Sequence, residues 1–340
     1  CVPDFSRDAN AILWQIRGLS PYPLAMTRTP DGKLLKVLSA KPAQGTSSAA
    51  AGTVTDLTDE GFCVACGDGQ KIWITGAKGH VGTALSALLD CREYEIFPTD
   101  VDEVDVTDLE AVNNYARVNR PDIIINCVGY SDVAGCETNP DKAFAVNAVG
   151  TRNLAVMAQS IGAKLIHIST DDIFSGTEDH SYNEFDTPNP RNIYGKSKLA
   201  GEAYIQSFCS RYVILRSSWV YGIGQDFLNT VLSAVKDPSV NELTVSEYEY
   251  ACPTSASELA RIIEYFIKNE CLGIYHAVCQ GSCSRLEYAN ATDKLKLVPA
   301  NNNKPVYSVL DNMMLRLEHI EQPKNWKDAL KEYINLSGGC

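Results

Sequence analysis

One glycine motif constrains the fold of this chain more than any other feature. Ile72–Thr75 is a short apolar run, Gly76, Gly79 and Gly82 follow it, and helical spacing then continues to Leu89. A strand, a glycine turn and a helix in this order form the phosphate-binding unit of dinucleotide-binding folds. The first glycine permits the tight turn, the second lets the backbone approach a pyrophosphate, and the third lets the helix pack on the strand. The motif therefore predicts a dinucleotide at the N-terminus of this helix.

Apolar strands and helical segments continue to alternate after the motif. Strands are predicted at Tyr94–Phe97, Pro121–Asn126 and Lys164–Ser169, and helical spacing separates them, including Ala143–Ile161. Repeated βα units indicate an α/β protein with a doubly wound, Rossmann-type parallel sheet and ligands at the carboxyl ends of its strands. After residue 222 we expect a smaller C-terminal substrate lobe with helices at Phe227–Val235 and Ser257–Lys268, and strands at Leu243–Val245 and Gly273–Ala277.

The cofactor contacts follow from this architecture. Asp100 ends the second strand, where its carboxylate is suited to the adenosine ribose hydroxyls and would repel a 2′-phosphate. This favours NADH over NADPH, but Asp102 competes for the same role and both cofactors stay open. The residues predicted to bind the cofactor are Gly76, Lys78, Gly79, His80, Val81, Gly82, Asp100, Asp105, Val106, Cys127, Val128, Gly129, Tyr194 and Lys198. For His80, a solvent-facing position is the simpler interpretation.

A second group of residues predicts the chemistry. Tyr194 and Lys198 are four residues apart on one helix face, and Thr170 lies near the end of a predicted strand about 24 residues upstream. Reduction of a ketone needs a hydride from nicotinamide and a proton on the oxygen. A tyrosine can donate that proton when a nearby ammonium lowers its pKa, and a hydroxyl can stabilise the developing oxyanion. Thr170, Tyr194 and Lys198 are therefore the predicted catalytic residues.

Residues 71 to about 335 carry motifs that resemble the dTDP-4-dehydrorhamnose reductase family, within the extended short-chain dehydrogenase/reductase superfamily. The matching segments are Gly76–Gly82, Asn126–Tyr130, Val146–Ala148, His167–Asp171, Asn192–Glu202, Leu215–Tyr221, Cys252–Thr254 and Pro305–Asn312. The resemblance implies NADH- or NADPH-dependent reduction of the 4-keto group of dTDP-4-dehydro-L-rhamnose to dTDP-L-rhamnose. It also implies that Asp172, Trp219 and Thr254 contact the dTDP-sugar, and that the protein forms a homodimer.

Asp172 departs from that pattern, because many relatives have Tyr after Ser-Thr-Asp. Thr170-Asp-Asp172 is similar to the Thr-Asp-Glu of sugar-nucleotide 4,6-dehydratases, so a dehydratase or epimerase stays open. Val133–Glu137 also lacks an acid and a base that are common in the family. A third interpretation is a non-catalytic subunit, similar to the regulatory subunit of methionine adenosyltransferase.

The first 70 residues predict a separate unit. Residues 42–52 form a small-residue run typical of a linker, and a helix with several short strands around it indicates a small β-barrel. Asp4–Arg7, Ile16–Pro23, Asp31–Lys33 and Val64–Gly69 resemble the C-terminal domain of methionyl-tRNA formyltransferase. That resemblance implies an OB-like barrel that contacts tRNA. Five cations and one anion between Arg17 and Lys41 are compatible with RNA, and a solvated basic face explains them equally well. We therefore expect domains 1–70 and 71–340.

Composition excludes several classes of protein. The net charge is −12, which argues against extensive wrapping of nucleic acid, and no run approaches 18 apolar residues, so we expect no membrane span. The 12 cysteines are scattered, which favours reduced thiols in a cytoplasmic protein, and Cys63-x-x-Cys66 lacks the partner pair of a metal site.

The chain starts at Cys1, so we expect the tail of a longer chain. Three explanations of why the two units are joined stay open. They are an inherited appendage, a fusion to a preceding formyltransferase domain and an artefact joining neighbouring genes.

Overall fold

The structure is a computed structural model. It describes residues 2–5, 9–29, 32–41, 49, 51–58, 61–66, 70–90, 94–178, 180–237, 239–240, 242–291, 296–300 and 306–337. The chain divides into two compact units, residues 1–71 with 89–96 and residues 72–88 with 97–340. Among the described helices, none has the length and apolar character that a membrane span requires.

The helices and strands have the following bounds. The helices are α1 (Ala9–Leu19), α2 (His80–Leu88), α3 (Leu109–Asn119), α4 (Val133–Thr138), α5 (Pro140–Phe144), α6 (Thr151–Ile161), α7 (Ile193–Phe208), α8 (Phe227–Lys236), α9 (Ala256–Lys268), α10 (Arg285–Asn290), α11 (Met313–Leu317) and α12 (Trp326–Ser337). The strands are β1 (Ala25–Arg28), β2 (Leu34–Val37), β3 (Val54–Thr58), β4 (Gly61–Val64), β5 (Gln70–Thr75), β6 (Tyr94–Thr99), β7 (Ile123–Asn126), β8 (Lys164–Thr170), β9 (Tyr212–Ser217), β10 (Val220–Tyr221), β11 (Glu242–Ser246), β12 (Glu249–Ala251), β13 (Thr254–Ser255), β14 (Gly273–His276), β15 (Cys283–Ser284), β16 (Lys296–Ala300) and β17 (Val306–Tyr307).

The first unit is built on the amphipathic helix α1. Its residues Ile12 and Ile16 are buried and pack against Ala25 of β1. β1 pairs antiparallel with β2, and β3 pairs antiparallel with β4. In the described part of the chain these strands form separate two-stranded sheets. Most of the predicted linker, residues 42–48 and 50, lies outside the described residues, as do Asp31 and Gly67–Gly69 of the sequence motifs.

The second unit is organised around a six-stranded sheet of order β14-β9-β8-β7-β5-β6. The pairs β5–β7, β7–β8, β8–β9 and β9–β14 are all parallel. Ile123–Ile125 of β7 and Ile72–Ile74 of β5 are buried along their whole length, as a parallel sheet covered on both faces requires. The predicted Rossmann-type architecture is confirmed. The carboxyl ends of β5, β7 and β8 therefore share one edge.

The helix predicted over Ala143–Ile161 is interrupted. α5 ends at Phe144, residues Ala145–Gly150 form a π-helical segment, and α6 follows. The wider turn carries Asn147, whose side chain accepts from Tyr130 N at 2.8 Å and donates to Tyr130 O at 3.0 Å. The same amide donates to Ser197 Oγ of α7 at 2.9 Å. The interruption thus ties the loop after β7 to the helix that carries Tyr194.

The C-terminal lobe contains small sheets and the helices α8, α10 and α12. β11 pairs parallel with β16, and β12 lies between β15 and β17. The expectation that Gly273–Ala277 is a strand of this lobe is wrong in its placement. β14 instead extends the central sheet beside β9, because its buried Tyr275 and His276 continue the core of that sheet.

Candidate active site

The glycine loop between β5 and α2 forms a cradle without side chains. Gly76 has φ +69°, and a Cβ on it would lie 2.9 Å from Cys127 C and Val128 N. A Cβ on Gly82 would lie 2.6 Å from Ala77 Cα and would collide with Gly76 O. Glycine is therefore required for the turn and for the approach of α2. The cradle and the N-terminus of α2 fit the pyrophosphate of a dinucleotide, as the motif predicts.

The loop after β7 forms the other wall of this cradle. Cys127 N donates to Thr75 O at 3.0 Å, and Val128 N donates to Asn126 Oδ1 at 3.0 Å. Burial raises the pKa of the Cys127 thiol to about 12, so it stays protonated. The predicted cofactor residues Cys127, Val128 and Gly129 thus lie directly after the strand that neighbours β5.

Asp100 follows β6 and has a role within the protein that sequence reasoning did not anticipate. Its Oδ2 accepts from Lys78 N at 3.0 Å, so it holds the glycine loop, and its Oδ1 accepts from Val101 N at 2.9 Å. The Lys78 ammonium lies 2.9 Å from Asp102 Oδ2 and is 61% exposed. Acidic and basic groups therefore meet where a ribose 2′ substituent is expected, which is compatible with either cofactor.

His80 does not face solvent freely. Its Nδ1 lies 2.7 Å from Ile223 O, and its Nε2 lies 3.2 Å from Gln225 O and 3.8 Å from Asp226 Oδ2. The side chain thus connects the first turn of α2 to the loop before α8. The predicted solvent-facing position is wrong, because two backbone carbonyls of that loop engage the ring.

The remaining predicted cofactor residues lie beside the glycine loop or in the turn before α3. Val81 and Val106 are buried, and Val106 Cγ2 would lie only 2.7 Å from a Cβ on Gly150. Val106 O accepts from Asn153 Nδ2 at 3.0 Å, and Asp105 Oδ1 accepts from Thr107 N at 2.9 Å. These contacts give the turn a defined backbone shape next to the predicted adenine position.

The predicted catalytic residues meet at the end of β8. Thr170 is the last residue of β8, and Tyr194 lies in the first turn of α7, whose N-cap Asn192 accepts from Gly195 N at 2.6 Å. A Cβ on Gly195 would collide with Asp172 O, so glycine lets the helix start against the Ser-Thr-Asp loop. Asn192 Nδ2 also donates to Asp172 Oδ1 at 2.8 Å. The two sequence motifs are therefore one structural unit.

The tyrosine hydroxyl is held in its protonated form. Burial raises the pKa of Tyr194 and the Asp172 charge raises it further, while a hydrogen bond with Thr170 opposes the increase. The expectation that the pKa of this tyrosine is lowered is wrong for the resting protein, because burial dominates. Tyr194 is therefore protonated in the resting protein, as a proton donor to a carbonyl oxygen must be before the reaction.

Lys198 is buried one turn along α7 and makes two contacts with β8. Its Nζ donates to Ile168 O at 2.5 Å and lies 3.3 Å from His167 Nε2. Burial lowers the pKa of Lys198 to about 8, against raising effects of Glu202 and Cys127. Because Cys127 borders both Gly76 and Lys198, the glycine cradle and the catalytic residues share one edge of the sheet.

Asp171 and Asp172 differ in their partners. Asp171 is buried, and its Oδ2 accepts from Ser218 Oγ at 2.8 Å and from Ser308 Oγ at 2.6 Å. Burial and the neighbouring Asp172 raise the pKa of Asp171 to about 7, and the serines oppose this. Burial also raises the pKa of Asp172. Asp171 thus links β8 to residues 218 and 308, while Asp172 lies against Tyr194.

The predicted substrate residue Trp219 has a covered face. Arg285 Cζ lies 3.5 Å from the Trp219 ring centroid and 4.7 Å from that of Phe227. Its ion-pair partner Glu249 lies 3.8 Å away, and burial lowers the pKa of Arg285. A guanidinium so desolvated and so loosely paired is suited to an anionic ligand. Arg285 was missed from the sequence because a lone arginine far from any motif carries no signal.

Thr254 is not open to a ligand. The residue is fully buried, its Oγ1 donates to Cys252 O at 3.0 Å, and it accepts from Cys279 N at 3.3 Å. The predicted contact of Thr254 with a sugar is therefore corrected, because its hydroxyl is used within the protein. Among the described residues, no cluster of metal-ligating side chains is present.

Two family models match the chain. Residues 70–337 match the family described as RmlD substrate binding domain, and residues 3–88 match the formyl transferase C-terminal domain. Among curated relatives, spore coat polysaccharide biosynthesis protein SpsK of Bacillus subtilis is 34% identical, over 79% of this chain and 99% of the relative. The dTDP-4-dehydrorhamnose reductase of Escherichia coli is 32% identical, over 78% of this chain and 97% of the relative.

Solved structures indicate the same family as the curated relatives. A dTDP-4-dehydrorhamnose reductase from Clostridium acetobutylicum is 37% identical with a TM-score of 0.76, over 79% of this chain and 100% of that chain. The enzyme from Bacillus anthracis in complex with NADP is 35% identical with a TM-score of 0.75, over 78% and 98%. UDP-glucose 4-epimerase from Thermus thermophilus, at 22% identity and a TM-score of 0.68, shares the fold, over 78% and 98%. This chain belongs to the dTDP-4-dehydrorhamnose reductase family.

Proposed function

We propose that this protein is an oxidoreductase that reduces the 4-keto group of dTDP-4-dehydro-L-rhamnose to dTDP-L-rhamnose with NADH or NADPH. The observation that carries the proposal is the meeting of Thr170, Tyr194 and Lys198 beside the glycine cradle. Named relatives that match over nearly their whole length support the same reaction. The Asp100 and Lys78 charges leave both cofactors usable.

The reaction divides among the residues as follows. When bound, the nicotinamide would supply two electrons as a hydride to C4 of the sugar. The carbonyl π electrons move to oxygen, which takes the proton of the Tyr194 hydroxyl and becomes the alcohol. Burial keeps that proton on Tyr194 until the substrate arrives, and the Thr170 hydroxyl stabilises the charge that develops on oxygen. The tyrosinate then regains a proton, and we assign Lys198 to the cofactor ribose and to this step.

We assign the substrate side to Asp172, Trp219 and Arg285. The half-buried Arg285 guanidinium is suited to the diphosphate of a dTDP-sugar, because its ion pair with Glu249, at 3.8 Å, is longer than a hydrogen bond. Asp172 lies beside Tyr194 and is suited to a sugar hydroxyl. The dehydratase alternative is less well supported, because Asp171 already accepts two serine hydroxyls.

The first unit has a separate assignment. We propose that residues 1–70 form an OB-like barrel that contacts tRNA. We also propose that the whole protein is a cytoplasmic homodimer. Trp14 is 70% exposed with Arg17 Cζ 5.6 Å from its ring, and Tyr22 is 88% exposed, so aromatic and cationic groups are available for stacking. Fluorescence anisotropy with labelled tRNA tests the contact. Binding that weakens steeply with salt and is lost in Trp14→Ala supports it. Light scattering tests the dimer.

The reductase assignment is tested by following the absorbance of NADH and NADPH as each is oxidised. Purified protein should consume the cofactor when dTDP-4-dehydro-L-rhamnose is added, with one dTDP-L-rhamnose formed per cofactor oxidised. Tight cofactor binding without turnover would point to the regulatory-subunit alternative. Conversion of dTDP-glucose without net cofactor use would point to the dehydratase.

A further inference from the structure

A buried chain of polar groups runs from β5 to the catalytic lysine. Thr75 Oγ1 lies 3.2 Å from Asn126 Oδ1, Asn126 Nδ2 lies 3.0 Å from His167 Nδ1, and His167 Nε2 lies 3.3 Å from Lys198 Nζ. His167 and Asn126 are almost completely buried. Neither residue has a part in the reduction described above. Their donor and acceptor roles can be assigned from chemistry.

The orientation of the Asn126 amide is set by the backbone. Val128 N–H is a donor and lies 3.0 Å from one end of the amide, so this end is the oxygen. The other end is therefore the NH₂ group, which has two donors and no acceptor. One of these donors reaches Thr151 Oγ1 at 3.3 Å and the other faces His167 Nδ1. His167 Nδ1 must therefore accept.

The tautomer of His167 follows. Burial is the largest cause that holds the pKa of His167 well below its usual range, so the ring is neutral and carries one proton. With Nδ1 accepting, that proton is on Nε2. The Nε2–H then points at Lys198 Nζ. An ammonium offers only donors and would meet it donor to donor, whereas a neutral amine has a lone pair that accepts.

We propose that His167 is a positioning residue that stabilises the neutral amine of Lys198 relative to the ammonium, through an Nε2–H whose position Asn126 sets. The inference rests on the proposed reductase function for its kinetic meaning, but the protonation of Lys198 is a property of the resting protein. Lys198 can still donate to Ile168 O in either form. The histidine thus makes the lysine a group that gives up a proton readily.

The other charges around Lys198 act in the opposite direction. Cys127 from the loop after β7 and Glu202 from α7 both favour the ammonium. The Glu202 carboxylate is saturated, because Arg216 Nη2 lies 2.8 Å from its Oε2 and Ser169 Oγ donates to its Oε1 at 2.5 Å. Cys127 is held as a thiol by its raised pKa. Glu202 and Cys127 therefore oppose only weakly the effect of burial and of the His167 donor, which both favour the neutral amine of Lys198.

The direct test is the titration of Lys198 by NMR. The full-length protein is labelled with [ε-¹³C]lysine, and the Lys198 signal is assigned from its loss in Lys198→Arg. In the wild type it should titrate at least about one pH unit below an ordinary lysine. In His167→Phe, which keeps an aromatic ring but has no N–H, the titration should move up by about one unit or more. A wild-type titration near 10.5 would overturn the proposal.

A conservative variant separates the hydrogen bond from packing. His167→Gln has an acceptor for Asn126 and an NH₂ donor for Lys198, so its Lys198 signal should stay near the wild-type value. His276→Phe replaces another buried histidine away from Lys198 and should leave the signal unchanged. An equal shift in all three variants would refute the donor assignment. If His167→Phe does not fold, the wild-type and His167→Gln titrations still decide.

Kinetics supply a second readout. If the ammonium is the active form, kcat/KM falls as pH rises through the pKa of Lys198. The alkaline limb should then move to higher pH in His167→Phe and stay in place in His167→Gln. If the Lys198 titration shifts in His167→Phe but the alkaline limb of kcat/KM does not move, only the kinetic role of His167 is refuted. Absence of turnover in the wild type would refute the proposed function and leave the titration result intact.

Discussion

The cofactor side and the substrate side of this protein are assembled from very different lengths of chain. The cradle around Gly76 comes mostly from one strand, turn and helix, with Asp100 and Cys127 added from the next strands. The proposed substrate side draws on Asp172, Trp219 and Arg285, which lie on distant segments. Because the cofactor cradle is built from one short segment, its residues can be recognised in the sequence as a motif. A site assembled from distant residues lets substrate specificity change without altering hydride transfer.

The largest expected effect lies where the two sides meet. Tyr194→Phe removes the donated proton and should lower kcat by about 10²- to 10⁴-fold. Binding of NADPH, followed by fluorescence quenching, should weaken far less than kcat falls, because the cradle is untouched and only the hydroxyl that Tyr194 would offer to the cofactor is lost. Tyr204→Phe on the same helix is the control and should keep wild-type turnover. A Tyr194→Phe enzyme with near-normal kcat would remove the tyrosine from the mechanism.

Arg285→Met should affect the substrate side alone. A hydrogen bond to a charged group contributes about 1.5–3 kcal/mol, so KM for the dTDP-sugar should rise about 10- to 100-fold. KM for NADPH should not change. Arg261→Met, which removes an ion-paired arginine from α9, is the matched control. If KM for the cofactor rose instead, Arg285 would belong to the other side of the comparison.

Asp100→Asn should affect the cofactor side alone. The amide oxygen can still accept from Lys78 N, so the loop stays anchored while the negative charge is lost. Preference for NADPH over NADH, measured as the ratio of kcat/KM, should increase about tenfold. Glu110→Gln on α3 tests whether any loss of negative charge nearby has this effect. An unchanged ratio would assign the discrimination to another group.

The smallest effect concerns Asp171, which links β8 to Ser218 and Ser308. Its pKa in the folded protein is raised to about 7 from 3.8, so the folded state binds a proton as pH falls through 7 while the unfolded chain does not. This proton uptake increases stability at lower pH. Between pH 8 and pH 6, wild type should gain about 1 kcal/mol relative to Asp171→Asn. Urea unfolding at both pH values measures the difference, and a difference that does not vary with pH would contradict the raised pKa.

The sequence by itself determined the parallel sheet and the glycine cradle, and it singled out Thr170, Tyr194 and Lys198 as the proposed catalytic residues. Each of these depends on neighbours within a few residues, such as helical spacing or the small size of a glycine. The tertiary structure alone decided the partners of His80, the burial of Thr254, the stacking of Arg285 on Trp219 and the strand position of β14. It also decided the chain from Asn126 through His167 to Lys198. Those features depend on which distant backbone segments meet, and on the loss of water where they do, and neither is written in local sequence.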